Sequence, residues 1–193
     1  MREIKLPASE EDIRQLHVGD VVAITGVMMT ARDAAHKYRV EEEAPEVAEI
    51  LEGGMIYHCG PVVRKEGETY SFVAAGPTTS IREEPYQGTV MKKYGVRGVI
   101  GKGGMEDKTL AACQELGAVY LSAVGGLGTI LARSVKRVHT VHKLEEFGVP
   151  EAMWVIEVDR FPALVTMDSH GRSLHDEVLA ASRVQYERLV FGK

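Results

Sequence analysis

Two rhythms of apolar residues alternate along this chain. Short runs of β-branched and aromatic residues end on glycine or Gly-Pro and read as strands. Between them lie stretches whose apolar positions recur every three or four residues, and these read as helices. The chain opens with an apolar–polar alternation from Ile4 to Leu6. Ser9 as N-cap, with Asp12 three residues on, then predicts a short helical turn. Residues 21–25 read as a buried strand and residues 33–38 as a helix. Thr30 and Asp33 stand at capping-box spacing, which puts Arg32 in the first helical turn. Residues 41–53 predict an acidic surface helix, and residues 55–59 a strand that enters the Gly60-Pro61 turn. Lys65-Glu66-Gly67-Glu68 reads as a hairpin tip before a strand over residues 70–74.

From 83 to 139 the pattern predicts helix (83–94), strand (96–100), helix (106–116), strand (118–124) and helix (129–139). This alternation argues for parallel strands joined by crossovers. Two strands, 153–158 and 163–167, split by Asp159-Arg160-Phe161-Pro162, and a helix over 174–191 complete the chain. The sum is a mixed α/β fold in one domain, residues 1–193. That length, with 45% hydrophobic residues, suffices for a sizeable core.

Composition narrows the function classes. A formal net charge of −5 points neither to nucleic acid nor to an anionic membrane. No apolar run reaches the ~18 residues of a membrane span, and the polar start Met1-Arg2-Glu3-Ile4-Lys5 does not read as a signal peptide. Two cysteines, Cys59 and Cys113, are too few for a disulfide framework or a complete structural metal site. A reduced, cytoplasmic protein is expected, with both thiols buried and Cys59 also a candidate to line a site.

The candidate chemistry sits at strand ends. Ala75-Gly76-Pro77-Thr78-Thr79-Ser80-Ile81-Arg82 offers backbone N–H groups, three hydroxyls and a guanidinium fork, a set suited to carboxylate or phosphate. A capped turn at a helix start, with Glu83 and Glu84 in the first turn, is the alternative. Arg32 at a helix start opposes the macrodipole, unless it holds an anion against that same end; a solvent-exposed arginine is the alternative. Gly101-Lys102-Gly103-Gly104-Met105 brings a point charge onto a backbone that permits close approach, without the spacing of a phosphate loop. Gly125-Gly126-Leu127-Gly128 lacks the third glycine of a dinucleotide fingerprint. His139 and His142 have the i, i+3 spacing of a helix pair, and His170 and His175 flank a glycine turn. No third ligand has a fixed spacing, so no metal site is expected. Arg133, Lys136 and Arg137 read as a basic helix face, solvated or partner-facing.

Four runs occur together: Thr30-Ala31-Arg32-Asp33-Ala34-Ala35-His36, Gly76-Pro77-Thr78-Thr79-Ser80-Ile81-Arg82, Gly101-Lys102-Gly103-Gly104-Met105 and Ala123-Val124-Gly125-Gly126. In order and spacing the set resembles the β subunit of class I fumarase and L-tartrate dehydratase, the iron–sulfur hydro-lyases, from about residue 20 to residue 180. The resemblance implies a swivelling β/β/α fold of three layers. It implies Arg32, Arg82 and Lys102 as ligands of the substrate carboxylates and Thr78 as the base that removes the C3 proton. Thr79, Ser80 and Gly103 are expected further contacts by position. The family's 4Fe–4S cluster is held by three cysteines of the other, larger half, which also supplies an acidic residue that assists the threonine. This chain has neither, so the resemblance implies half an enzyme, a β subunit completed by an α subunit, with two copies of each as the family habit. A C4 dicarboxylate is the implied substrate, fumarate/malate or else tartrate. A free-standing carboxylate-binding module without chemistry is the reading from another class.

Overall fold

The computed structural model describes residues 1–192. In chain order the elements are β1 (Arg2–Lys5), α1 (Glu10–Arg14), β2 (Val21–Thr30), α2 (Asp33–Glu41), α3 (Pro45–Leu51), β3 (Met55–Tyr57), β4 (Val62–Glu66) and β5 (Thr69–Ala74). A 3-10 turn over Ser80–Glu83 leads into α4 (Glu84–Tyr94), followed by β6 (Gly98–Gly101), α5 (Asp107–Leu116), β7 (Val119–Ser122) and α6 (Gly128–Ala132). β8 (Val135–His142), α7 (Leu144–Phe147), β9 (Met153–Met167) and α8 (Leu174–Phe191) follow. Ser9 caps α1 with the reciprocal Asp12 contact that its spacing predicts.

β1, β2, β3, β6 and β7 lie side by side and parallel. β9 runs antiparallel to β2 along one side and to β7 and β8 along the other. The pairings therefore return on themselves through β2-β3-β6-β7-β9. β4 and β5 form a separate hairpin.

Side chains alternate between two cores, as the two-residue period of a strand requires. Met28, Tyr57, Ile100 and Leu121 enter one core with Trp154, Ile156 and Phe161 of β9, while Met29, Ile56, Val99 and Tyr120 enter a second. Val47, Leu51, Val90, Met91 and Cys113 from α3, α4 and α5 cover that second core. The hairpin packs on the first: Tyr70 and Phe72 meet Trp154 edge-on, with ring centroids 5.1 and 6.0 Å apart. The layers run antiparallel strands and hairpin, parallel strands, helices, which is the expected β/β/α order. No helix of the described residues is long and apolar enough to cross a membrane.

Three expectations from the sequence require correction. Residues 129–139 are not one helix, because α6 stops at Ala132 and the chain continues as β8, at the end of the sheet order. Val135, Val138, Thr140 and Val141 are β-branched, and the charges among them suit an edge strand facing water. His139 therefore faces Glu157 across the ladder at 3.2 Å rather than pairing with His142 on a helix, and Arg133, Lys136 and Arg137 do not share a helix face. Residues 41–53 hold a break: α2 ends at Glu41 and α3 begins afresh at Pro45, where a missing N–H costs nothing.

The third correction concerns β9, a single strand rather than two. Ile24 pairs with Phe161 and Gly26 with Val158, so one residue of β2 opposes both Asp159 and Arg160 of β9. Arg160 takes φ +52° to absorb the extra residue, and its N–H donates to Thr25 Oγ1 at 3.0 Å. Glycine in β2 and a polar pair in β9 are thus two sides of one bulge. Gly26 is at φ +131°, and a Cβ there would lie 2.7 Å from the Leu6 carbonyl oxygen. Gly26→Ala is expected to lose ~1–3 kcal/mol of stability, the usual range for a forced backbone conformation. The check is a urea midpoint that falls at unchanged m.

Candidate functional site

The carboxyl ends of β2, β3, β6 and β7 lie along one edge of the parallel sheet, where open α/β sheets bind ligands. The hydroxyl loop leaves β5 and crosses this edge. The Ala75 N–H donates to the Gly128 carbonyl at 2.8 Å, Thr78 N–H to that of His58 at 2.8 Å, and Ser80 N–H to that of Lys102 at 3.0 Å. The Tyr57 hydroxyl adds a bond to the Ala75 carbonyl at 2.5 Å. Cys59 bridges to Pro77 antiparallel and Thr79 to Lys102 parallel, so the loop is laid down as an extra strand over two strand ends. Gly101 makes room for it, since a Cβ there would overlap the Ser80 hydroxyl. Thr78 is half-buried, Ser80 is buried, and Thr79, Arg82, Lys102 and Gly103 are exposed.

Arg32 is the N-cap of α2, one step ahead of the expected first turn. Thr30 belongs instead to β2, where its hydroxyl accepts the buried Trp154 N–H at 3.2 Å. Glu151 takes over the capping: one carboxylate oxygen accepts the Ala34 N–H at 3.1 Å and the other lies 3.3 Å from Arg32 Nε. The anion that offsets Arg32 at the helix start is thus the protein's own. The Arg32 side chain lies against Gly60, where a Cβ would sit 2.8 Å from its Nη1. Cys59 is buried beside it, its thiol pushed up to about 12 by burial against the opposing pull of Arg32. Arg82 ion-pairs with Asp33, joining the start of α2 to the 3-10 turn. Lys102 makes no ion pair among the described residues, and its aliphatic stem passes over Gly125. All four sequence motifs therefore meet at one rim.

Beneath the rim runs a buried polar chain that sequence reasoning missed. His36 Nδ1 lies 2.9 Å from the Arg32 carbonyl oxygen and its Nε2 3.1 Å from the Gln87 amide. His58 Nε2 lies 2.8 Å from the same amide and its Nδ1 2.8 Å from Ser80 Oγ. Burial keeps both imidazoles neutral, with the Arg39 charge adding to it. His36 lies well below the usual histidine range and His58 is pushed to about 3. A neutral ring has one donor and one acceptor. His36 Nδ1 faces a carbonyl, so Nδ1–H donates and Nε2 must accept. The amide atom facing it is Gln87 Oε1 as placed, and only the flipped amide, with its NH2 on that side, can donate to it. The same NH2 serves His58 Nε2. His58 Nδ1–H then donates to Ser80 Oγ, which also accepts the Lys102 backbone N–H at 3.3 Å. One continuous path ties the backbones of Arg32 and Lys102 through side chains alone.

Cations and hydroxyls on loops at the carboxyl edge of a parallel sheet form a set of groups suited to an anion on an α/β unit. The comparisons give it a family. The sequence model of the fumarase C-terminus matches residues 1–178, and the chain belongs to that family. It is 54% identical over 180 residues to a protein of Geobacillus stearothermophilus provisionally named fumarate hydratase class I, covering 93% of this chain and 34% of that one. It is 40% identical over 184 residues to a protein provisionally named L(+)-tartrate dehydratase subunit beta of Methanocaldococcus jannaschii, covering 94% and 93%. With the L(+)-tartrate dehydratase subunit beta of Escherichia coli K12 the identity is 38% over 169 residues, covering 87% and 83%. The chain thus spans about a third of the first relative and most of the other two.

The buried histidines make stability depend on acid. Their folded-state values lie below the unfolded 6.5, so only the unfolded chain takes up these protons as the pH falls. Their contribution is full above about pH 6.5 and is lost as the pH falls below it, for His58 down to about 3, each costing up to ~1.4 kcal/mol per pH unit. Urea midpoints between pH 7 and 5 should fall accordingly, and His58→Gln should roughly halve the slope. An unchanged slope would mean that His58 is not held neutral.

Proposed function

We propose that this chain is the β subunit of a two-subunit iron–sulfur hydro-lyase that interconverts fumarate and L-malate in the cytoplasm. An α subunit carrying the 4Fe–4S cluster completes it, in a heterotetramer of two α and two β. The observation that carries the reading is the meeting of Arg32, Thr78, Arg82 and Lys102 at one open rim. It is supported by the family and by the larger part of the Geobacillus relative lying outside the matched region.

The chain's own thiols do not suit a cluster. Cys59 sits beside Arg32 and Cys113 within α5, both buried and both pushed up to about 12 by that burial. Among the described residues no three His, Cys, Asp or Glu converge as metal ligands. What this chain supplies is therefore the chemistry of its own side chains. Two substrate carboxylates call for several cations, and Arg32, Arg82 and Lys102 meet that need, bordered by Thr79 and Gly103. Thr78 removes the C3 proton. A hydroxyl is a poor base alone, so activation by an acidic residue of the α subunit and stabilisation by the surrounding cations are part of the reading.

L-tartrate is the second reading, favoured by one observation: the two tartrate dehydratase subunits match this chain over most of their length. Identity favours fumarate. The reconstituted pair, assayed anaerobically against malate and L-tartrate, separates the two. A complex that binds dicarboxylates and turns over neither would leave only a binding module. The chain alone should be colourless and inactive as a hydratase.

Two substitutions test the roles. Thr78→Val keeps the β-branched shape, so kcat should fall ~10²–10⁴-fold with KM little changed. NMR should show loss of C3-proton exchange with solvent deuterium, and wild-type exchange would remove Thr78 as the base. Arg82→Lys keeps the charge without the fork and should lose ~1.5–3 kcal/mol in kcat/KM, whereas exposed Lys136→Ala should change little.

A further inference from the structure

Behind Arg82 lies an acid that the proposed reaction does not use. Glu83 follows Arg82 in the 3-10 turn, yet Arg82 is exposed and Glu83 is wholly buried. Both Glu83 carboxyl oxygens, and Asp33 Oδ1, are buried without a donor among the described residues. The Asp33 and Glu83 carboxyls are themselves within hydrogen-bond reach. Two carboxylates cannot bond to each other without a proton between them.

We propose that Glu83 and Asp33 share one proton and act together as the positioning pair for Arg82. Glu83, as the acid, donates to Asp33, and Asp33 anchors the guanidinium at the rim. This rests on reading Arg82 as a ligand of the substrate carboxylate.

The location of the proton follows from the surroundings. Burial pushes Glu83 up to about 8, with the hydrogen bond and charge of Asp33 acting in the same direction. Burial also acts to raise Asp33, but the bond from Glu83 and the charge of Arg82 outweigh it and hold Asp33 below the usual range. The charged or titratable groups facing the pair are Arg82 from the same turn, Tyr120 from β7 and His58 at the end of β3. Tyr120 stays protonated and His58 neutral, so Arg82 is the cation that answers Asp33. With Glu83 protonated, one negative charge meets one guanidinium, and the site keeps its surplus cation, Lys102. Loss of the proton leaves two carboxylates beside Arg82. They hold it more firmly within the chain and repel an incoming dicarboxylate. Substrate affinity therefore falls as the pH rises through about 8, while the chemical step is spared.

The test has two arms. In the αβ complex, the KM for malate (or for L-tartrate, if that is the substrate turned over) should rise toward ~tenfold per pH unit above about pH 8, with kcat nearly flat. Glu83→Gln, an isosteric donor without a charge, should abolish that rise. A rise that persists in Glu83→Gln overturns the proposal. The second arm needs no substrate: carboxyl-carbon NMR of the full chain carrying labelled glutamate. One glutamate should titrate near pH 8, be absent in Glu83→Gln and move acid-ward in Asp33→Asn, which removes the like charge. Every glutamate titrating below about 6, or a midpoint unmoved in Asp33→Asn, overturns the shared proton even where Glu83→Gln fails to fold. If the complex turns over neither substrate while the NMR midpoint is found, the functional reading fails and the carboxyl pair stands.

Discussion

The crossing of residues 75–80 over the ends of β3 and β6 is the constraint on which the rim depends. Its anchors are main-chain hydrogen bonds, from Ala75 to Gly128, Thr78 to His58 and Ser80 to Lys102, and such bonds fix direction as well as distance. Without them Thr78 and Lys102 would belong to two unrelated loops. The crossing in turn needs a strand end with no side chain at Gly101, because the Ser80 hydroxyl occupies that volume. Ser80 then closes the polar chain through His58, Gln87 and His36 to the backbone of Arg32. Buried polar groups are expensive when half satisfied, and one atom of the Gln87 amide has no partner among the described residues. The chain links the two cation-bearing loops beneath the rim without closing every bond.

Both arginines at the rim are already engaged, Arg32 with Glu151 and Arg82 with Asp33. An isolated cation on a half-buried loop would sample many rotamers and lose hydration without return. A carboxylate neighbour orients the guanidinium and leaves part of its five-donor fork for a second anion. Lys102, exposed and without an ion pair among the described residues, is a different kind of cation. It is a point charge on a flexible stem, steadied by the backbone bridge beneath it.

What could be read from the sequence follows from where the information is local. The parallel strands, their helices and the cap of α1 come from short periodic patterns and turn residues, and these stand in the structure. The bulge between β2 and β9 does not, because its halves, Gly26 and Asp159-Arg160, lie far apart in the chain and each looks like a strand end by itself. β8 is hidden for a related reason: an edge strand carries charges on its open side, and at short range Arg133, Lys136 and Arg137 mimic a helix face. At the site, Arg32, Thr78, Arg82 and Lys102 could be named from three of the four motifs. Their partners could not. Glu151 reaches α2 from a loop more than a hundred residues away, and His58, Gln87 and Glu83 carry no pattern that separates a network member from an ordinary strand or helix residue.

The openness of the rim bears on what the chain can do alone. An ion pair 4 Å apart is worth ~1 kcal/mol in water and ~4 kcal/mol at the effective dielectric of a partly covered protein site. Thr79, Arg82, Lys102 and Gly103 are exposed, so a carboxylate held there by this chain alone is held mostly in water. The same residues, covered by a second protein surface, would hold it several times more strongly without moving. Covering the rim raises the cost of a bare alkoxide at Thr78. Its role as a base thus depends on the partner's acidic residue and the surrounding cations rather than on water exclusion itself. On the proposed reading, the α subunit therefore contributes more than a cluster and an acidic residue. By excluding water it strengthens the clamp of Arg32, Arg82 and Lys102, and by its acidic residue it makes a half-buried threonine a base.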